Sequence, residues 1–141
     1  MGVSTILAWS GFVAFLLALA SAFTFGGPAE RRGASIWLVG NVVTIGLQLV
    51  SPGKLPYLPA LAVDLGLAAA FTWLALKNPQ KLWPGFAAVA QTLLAAFSAT
   101  RAIGFPLSEQ EYLAAGNTAS LGVALAICGG VWASRRPMQV D

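Results

Sequence analysis

The chain has 141 residues, 57% of them apolar and only 9% charged, with a formal net charge of +3. Its mean hydropathy of +0.75 lies far above that of a soluble domain. The apolar stretches run without the alternation of barrel strands, so the composition excludes a water-soluble globular protein and a β-barrel alike.

The sequence contains no histidine, one cysteine (Cys128) and two methionines, Met1 and Met138. Histidine-based nucleophilic catalysis is therefore impossible, and no Cys/His set has zinc-ligand spacing. Haem ligation also lacks its usual axial residues. Only Asp64 is an acid inside an apolar run, so a paired intramembrane aspartate site is ruled out. The expectation is a protein that is not an enzyme and carries no cofactor or metal. The pI near 9.5 reflects basic residues paired at segment ends, not a stripe that could follow phosphates, so nucleic acid is not an expected partner.

A spanning helix needs about 20 mainly apolar residues. Five segments meet or approach this: 5–25, 35–50, 58–76, 83–103 and 112–132. The fold class expected is all-α, a single polytopic domain built as a bundle of five transmembrane helices. The first segment ends at Gly26-Gly27-Pro28. Ala20-Ser21-Ala22 resembles a signal-peptidase site, but no Lys or Arg precedes the run, so it reads as a retained helix. The second ends at Ser51-Pro52-Gly53, and the third at Asn78-Pro79. Pro84 suits the first turn of the fourth. Gly104-Phe105-Pro106 closes it, and Glu109 and Glu111 open the fifth, where acids complement the helix dipole.

With five crossings, one side receives Arg31, Arg32, Lys77, Lys81, Arg135 and Arg136, and the other receives Lys54 and Arg101. The positive-inside rule then places the N-terminus outside and the C-terminus in the cytoplasm. Trp37, Trp73, Trp83 and Trp132 fall at cytoplasmic ends, and Trp9, Tyr57 and Tyr112 at outer ends, as interfacial belts require.

Small residues recur at every fourth position in three helices: Ser10, Ala14, Ala18, Ala22, Gly26; Ala88, Thr92, Ala96, Thr100, Gly104; and Thr118, Gly122, Ala126, Gly130. Each set shares one face, which permits close helix packing within the bundle or against another subunit. Gly122, Ala126 and Gly130 are the candidate packing residues. The expected partners are the lipid bilayer and either other membrane subunits or a second copy of the chain.

A charge near mid-bilayer costs roughly 3 kcal/mol on insertion scales, so Asp64 and Arg101 stand out. Asp64 lies about two turns into the third helix, some 8–10 Å by helical rise, and Arg101 at a similar height in the fourth. Gln48 late in the second helix and Asn117 early in the fifth occupy the same leaflet, with Asn41 and Gln91 deeper. Those six residues form a candidate polar cluster. It is either a satisfied structural ion pair or the lining of a pocket open to the outside.

The stretch Val63-Asp64 … Leu76-Lys77-Asn78-Pro79-Gln80-Lys81-Leu82-Trp83-Pro84 … Gln91 resembles a pattern in small, uncharacterised multi-pass bacterial inner-membrane proteins. It covers the third and fourth helices and departs at Thr100-Arg101, where those proteins often carry a histidine. The resemblance implies a bacterial inner membrane and brings no activity with it. The first functional expectation is a non-enzymatic accessory or scaffold protein acting through helix–helix contacts in a membrane complex. The alternatives are a small channel, carrier or ligand-binding protein using the polar cluster, and a pore-forming defence effector.

Overall fold

The computed structural model describes residues 2–51 and 57–136. Lys54, the Pro52-Gly53 turn, the side chain of Tyr57 and Met138 lie outside the described residues. Among the described residues five helices follow one another: α1 (Val3–Phe25), α2 (Pro28–Val50), α3 (Tyr57–Lys77), α4 (Trp83–Ala102) and α5 (Glu109–Arg135). Three are long and apolar enough to cross a membrane by length and composition: Pro28–Val50, Leu58–Lys77 and Glu109–Arg135. The apolar helix Trp9–Phe25 is shorter. An all-helical fold of this composition fits a membrane protein.

Helix α2 starts seven residues before the expected position 35. Pro28 takes the first helical turn, where its missing N–H is no loss, and the chain continues through Glu30, Arg31 and Arg32 as helix. Those arginines had read as loop charges. Helix α4 also begins with proline in its first turn. Helix α5 opens on a capping box. The Ser108 hydroxyl accepts from the Glu111 amide at 3.2 Å, and the Ser108 amide donates to the Glu111 carboxylate at 2.8 Å.

The helices close into a ring. Each packs on its chain neighbours, α1 also packs on α5, and α2 reaches across to α5. Arg135 at the end of α5 lies over the Phe25 ring at the end of α1, 4.3 Å from its centroid, so the first and last helices run parallel. Alanine lines the interior: Ala18, Ala22, Ala34, Ala87, Ala88 and Ala124 are buried with Trp37, Phe71, Leu74 and Ile127. Large residues such as Leu49, Leu76, Phe86 and Leu125 face outward. Small-inside and large-outside suits helices whose association rests on close packing instead of expulsion of water.

Two tryptophans assigned to the belts are core residues. Trp37 and Trp83 are 1% and 5% exposed. Trp83 fits because glycines make room on two sides: a Cβ at Gly33 would lie 2.3 Å from its Cη2, and one at Gly130 2.3 Å from its Cδ1. Trp9, Trp73 and Trp132 are exposed at helix ends or flanks, as a belt requires. Gly130 therefore packs within the bundle, as does Gly122, whose missing Cβ would stand 3.3 Å from Ala90. Ala126 packs against the same core. The stripe on α4 behaves differently. Ala88 is buried, but Thr92, Ala96, Thr100 and Gly104 are exposed, and the inward face is Ala87, Gln91, Ala95 and Ser98.

Candidate functional site

Helical periodicity directs one polar residue after another into the ring on the side of the α2–α3 and α4–α5 connections. They line a cavity of about 200 Å³ bounded by α2, α3, α4 and α5. Of the six candidate residues, Asn41, Gln48, Asp64, Gln91 and Asn117 line it. Trp37, Thr44, Tyr112 and Ser120 share the wall, with Leu67, Leu94 and Leu113 between them. Helix α1 supports the cavity from behind, where the backbone at Gly11 approaches Asn117 closely enough that a Cβ would stand 3.6 Å from its Oδ1. At roughly 30 Å³ of liquid volume per water, the space admits several waters or one small solute.

Arg101 does not line this cavity. Its guanidinium lies over the Tyr112 ring, 4.6 Å from the centroid. Two side chains, Ser98 and Tyr112, link Asp64 to Arg101. The Ser98 hydroxyl donates to the Asp64 carboxylate. Having used its only proton there, Ser98 accepts from the Tyr112 hydroxyl at 3.1 Å. The order is thus Tyr112 to Ser98 to Asp64, with the Arg101 cation on the tyrosine face, a favourable cation–π placement. Asp64 and Ser98 are 8% and 2% exposed. Sequence reasoning placed Tyr112 in an interfacial belt and did not single out Ser98. Ser98 stands seven residues after Gln91, two helical turns on the same face, and that spacing was the available signal.

Two donors of the cavity wall are turned to backbone carbonyls. Asn41 Nδ2 donates to the Trp37 carbonyl at 2.8 Å, and the Thr44 hydroxyl to the Gly40 carbonyl at 2.9 Å. Gln91 is 2% exposed, and its Oε1 is buried without a hydrogen-bond partner. An unsatisfied buried carbonyl costs about 1–3 kcal/mol, so this atom is poised to accept a donor.

A second polar node lies at the opposite end of the ring. Glu30 is fully buried and accepts from Lys81 Nζ at 2.6 Å and from Trp83 Nε1 at 3.0 Å, all on its Oε1. Its Oε2 is buried without a partner. Gly26 and Gly27 make the space, since a Cβ at Gly27 would stand 2.9 Å from Oε2. Sequence reasoning missed Glu30. An acid preceding two arginines at a helix start reads as a solvated charge, and only the fold turns it inward. The arginines, Lys77, Arg135 and Arg136 at this end are exposed. A larger groove of about 470 Å³ runs beside Lys81 and Trp83 between α4 and α5, lined mainly by apolar and small residues.

No protein-family model, curated protein or solved structure matches the chain.

Proposed function

We propose that this chain is a multi-pass protein of the bacterial inner membrane, with five crossings, N-terminus outside and C-terminus cytoplasmic, that binds a small polar solute in its outer cavity. Its role is non-enzymatic: to hold the solute or pass it onward. The observation that carries this reading is the convergence of polar side chains from four helices on one cavity containing a buried carboxylate and an unpartnered carbonyl. Polar groups at that depth are costly unless they serve a partner or a wet space. The accessory-subunit reading rests on compact loops, the lack of cofactor ligands and small-residue faces; Gly122 and Gly130 pack on Ala90 and Trp83 within the bundle, whereas Thr92, Ala96 and Thr100 on α4 are exposed.

The test is binding and flux with the purified chain in nanodiscs and proteoliposomes. A panel of small cationic, neutral and anionic solutes is titrated, with calorimetry and thermal shift as readouts. Saturable binding of any of them, lost on filling the cavity with Gly116→Leu, is expected. Failure of every solute to bind, with the bundle folded, refutes the proposal.

A further inference from the structure

The groove of about 470 Å³ between α4 and α5 lies at the Glu30 end of the ring, away from the outer cavity. Small residues of α5, Ala126, Gly129 and Gly130, run along it beside Trp83, and the exposed Phe86 and Leu125 flank it. Its lining extends along α5 from Leu125 to Ser134, roughly 13 Å at helical rise. That is close to one leaflet of a hydrocarbon core about 30 Å thick. The mouth, at the helix ends, holds Gln80 and Lys81. Lys81 gives Glu30 one hydrogen bond of the three it can donate and is 27% exposed, whereas the Glu30 carboxylate is fully buried. Helix α4 begins here with no capping side chain and no acid in its first turn, so the positive end of its dipole is uncompensated. Arg31, Arg32, Lys77, Arg135 and Arg136 are exposed at the same end. Among the described residues, Glu30 is the only acid set against them.

We propose that this groove binds an anionic phospholipid, with one acyl chain along Gly129 and the phosphate against Lys81 at the mouth. The site is independent of what the outer cavity holds. A phosphate offers acceptors to the Lys81 ammonium, and charge-assisted bonds of that kind are the strong ones. Basic pockets between helix ends suit anionic headgroups for this reason. A zwitterionic lipid carries its own cation into a basic end and gains less. A second copy of this chain, packed in parallel, would set like charges against each other at the mouth. A comparable groove of about 460 Å³ between α2 and α3 has no charged residue in its lining. It provides a chain-sized recess without a seat for the phosphate, and so separates shape from charge.

The experiment is native mass spectrometry of the full chain in detergent, titrated with phosphatidylglycerol and phosphatidylcholine of matched chains and with glycerol phosphate. Phosphatidylglycerol is expected to bind saturably and roughly five-fold tighter than phosphatidylcholine, the share of one lysine near an anionic headgroup. Glycerol phosphate, which has no chain, is expected not to bind. Gly129→Leu places its Cβ where nothing stands within 4 Å, so it fills the groove without crowding the core and is expected to abolish the tight site. Gly66→Leu has the same free space in the second groove and is expected to leave the tight site unchanged. Glu30→Gln combined with Lys81→Met removes the cation without stranding the buried acid, and is expected to remove most of the preference for phosphatidylglycerol. Absence of saturable lipid binding, equal affinity for the two lipids, or glycerol phosphate binding as tightly as the lipid overturns the proposal. So does a tight site that survives Gly129→Leu or is lost equally in Gly66→Leu, and so does an undiminished preference in the paired variant. A dimer that Gly129→Leu dissociates overturns it in favour of a second copy in the groove.

Discussion

Trp83 and Glu30, 53 residues apart in the chain, meet through an indole N–H that donates to the carboxylate at 3.0 Å. The same ring is held between Gly33 and Gly130. One side chain thereby ties α2, α4 and α5 together at the end of the ring opposite the cavity.

Gly130 is the sharpest test of that packing. A Cβ there would stand 2.3 Å from Trp83 Cδ1, and Gly33 blocks retreat on the other side. Gly130→Ala is expected to destabilise the bundle by about 1–3 kcal/mol, as overpacking does. Gly129→Ala meets nothing within 4 Å and is expected to be neutral or slightly stabilising through helix propensity. Thermal unfolding in detergent compares the two, and equal effects would show that the Trp83 contact does not constrain the fold.

Lys81 and Glu30 form a pair in which the acid is fully buried and the lysine 27% exposed. Lys81→Met strands a buried carboxylate and is expected to cost about 2–4 kcal/mol, somewhat less than a wholly buried pair because water reaches the lysine. Glu30→Gln combined with Lys81→Met is expected to recover most of that loss. A double variant as unstable as the single lysine variant would contradict it.

The relay predicts a ranking in α4 and α5. Ser98→Ala removes the donor to Asp64 and the acceptor for Tyr112 together, whereas Tyr112→Phe removes one hydroxyl and leaves the ring under Arg101. Ser98→Ala is therefore expected to destabilise the fold more, by a difference of about 1 kcal/mol. At Asp64 itself, Asn retains hydrogen bonding and is expected to be tolerated better than Leu. Unfolding curves of the four variants decide both orders.

Reporter fusions at the two ends check the orientation. The six basic residues at the Glu30 end are expected in the cytoplasm, with the cavity end outside. Activity of a periplasm-specific reporter at the N-terminal fusion and of a cytoplasm-specific one at the C-terminal fusion is expected. Both ends on one side would eliminate the five-crossing arrangement.

Much of this architecture is readable from residue order. Apolar length and breakers such as Gly104 and Pro84 mark the helices, and helical rise alone puts Asn41, Gln48, Asp64, Gln91 and Asn117 at compatible depths. What residue order hides is azimuth, the direction each side chain takes around its helix. Trp37 and Trp83 stand at the right depth for a belt yet point inward, and Arg101 shares the height of Asp64 yet lies against Tyr112. Glu30 is hidden for a related reason. Its burial depends on two glycines before it and on a lysine and tryptophan from a distant connection, none of which local pattern can join.

Because α1 rests on α5 as well as on α2, the ring is sealed by the first helix meeting the last. During synthesis, the flank of α1 carrying Gly11 and Phe25 waits for α5, on the order of ten seconds at ordinary elongation rates. Until then Asn117 and Arg135, which later touch that flank, have not left the ribosome. The cavity's fourth wall arrives with the same helix. The chain therefore passes through most of its synthesis with the Asp64 carboxylate still open on its α5 side, and acquires a closed site only as its final helix docks.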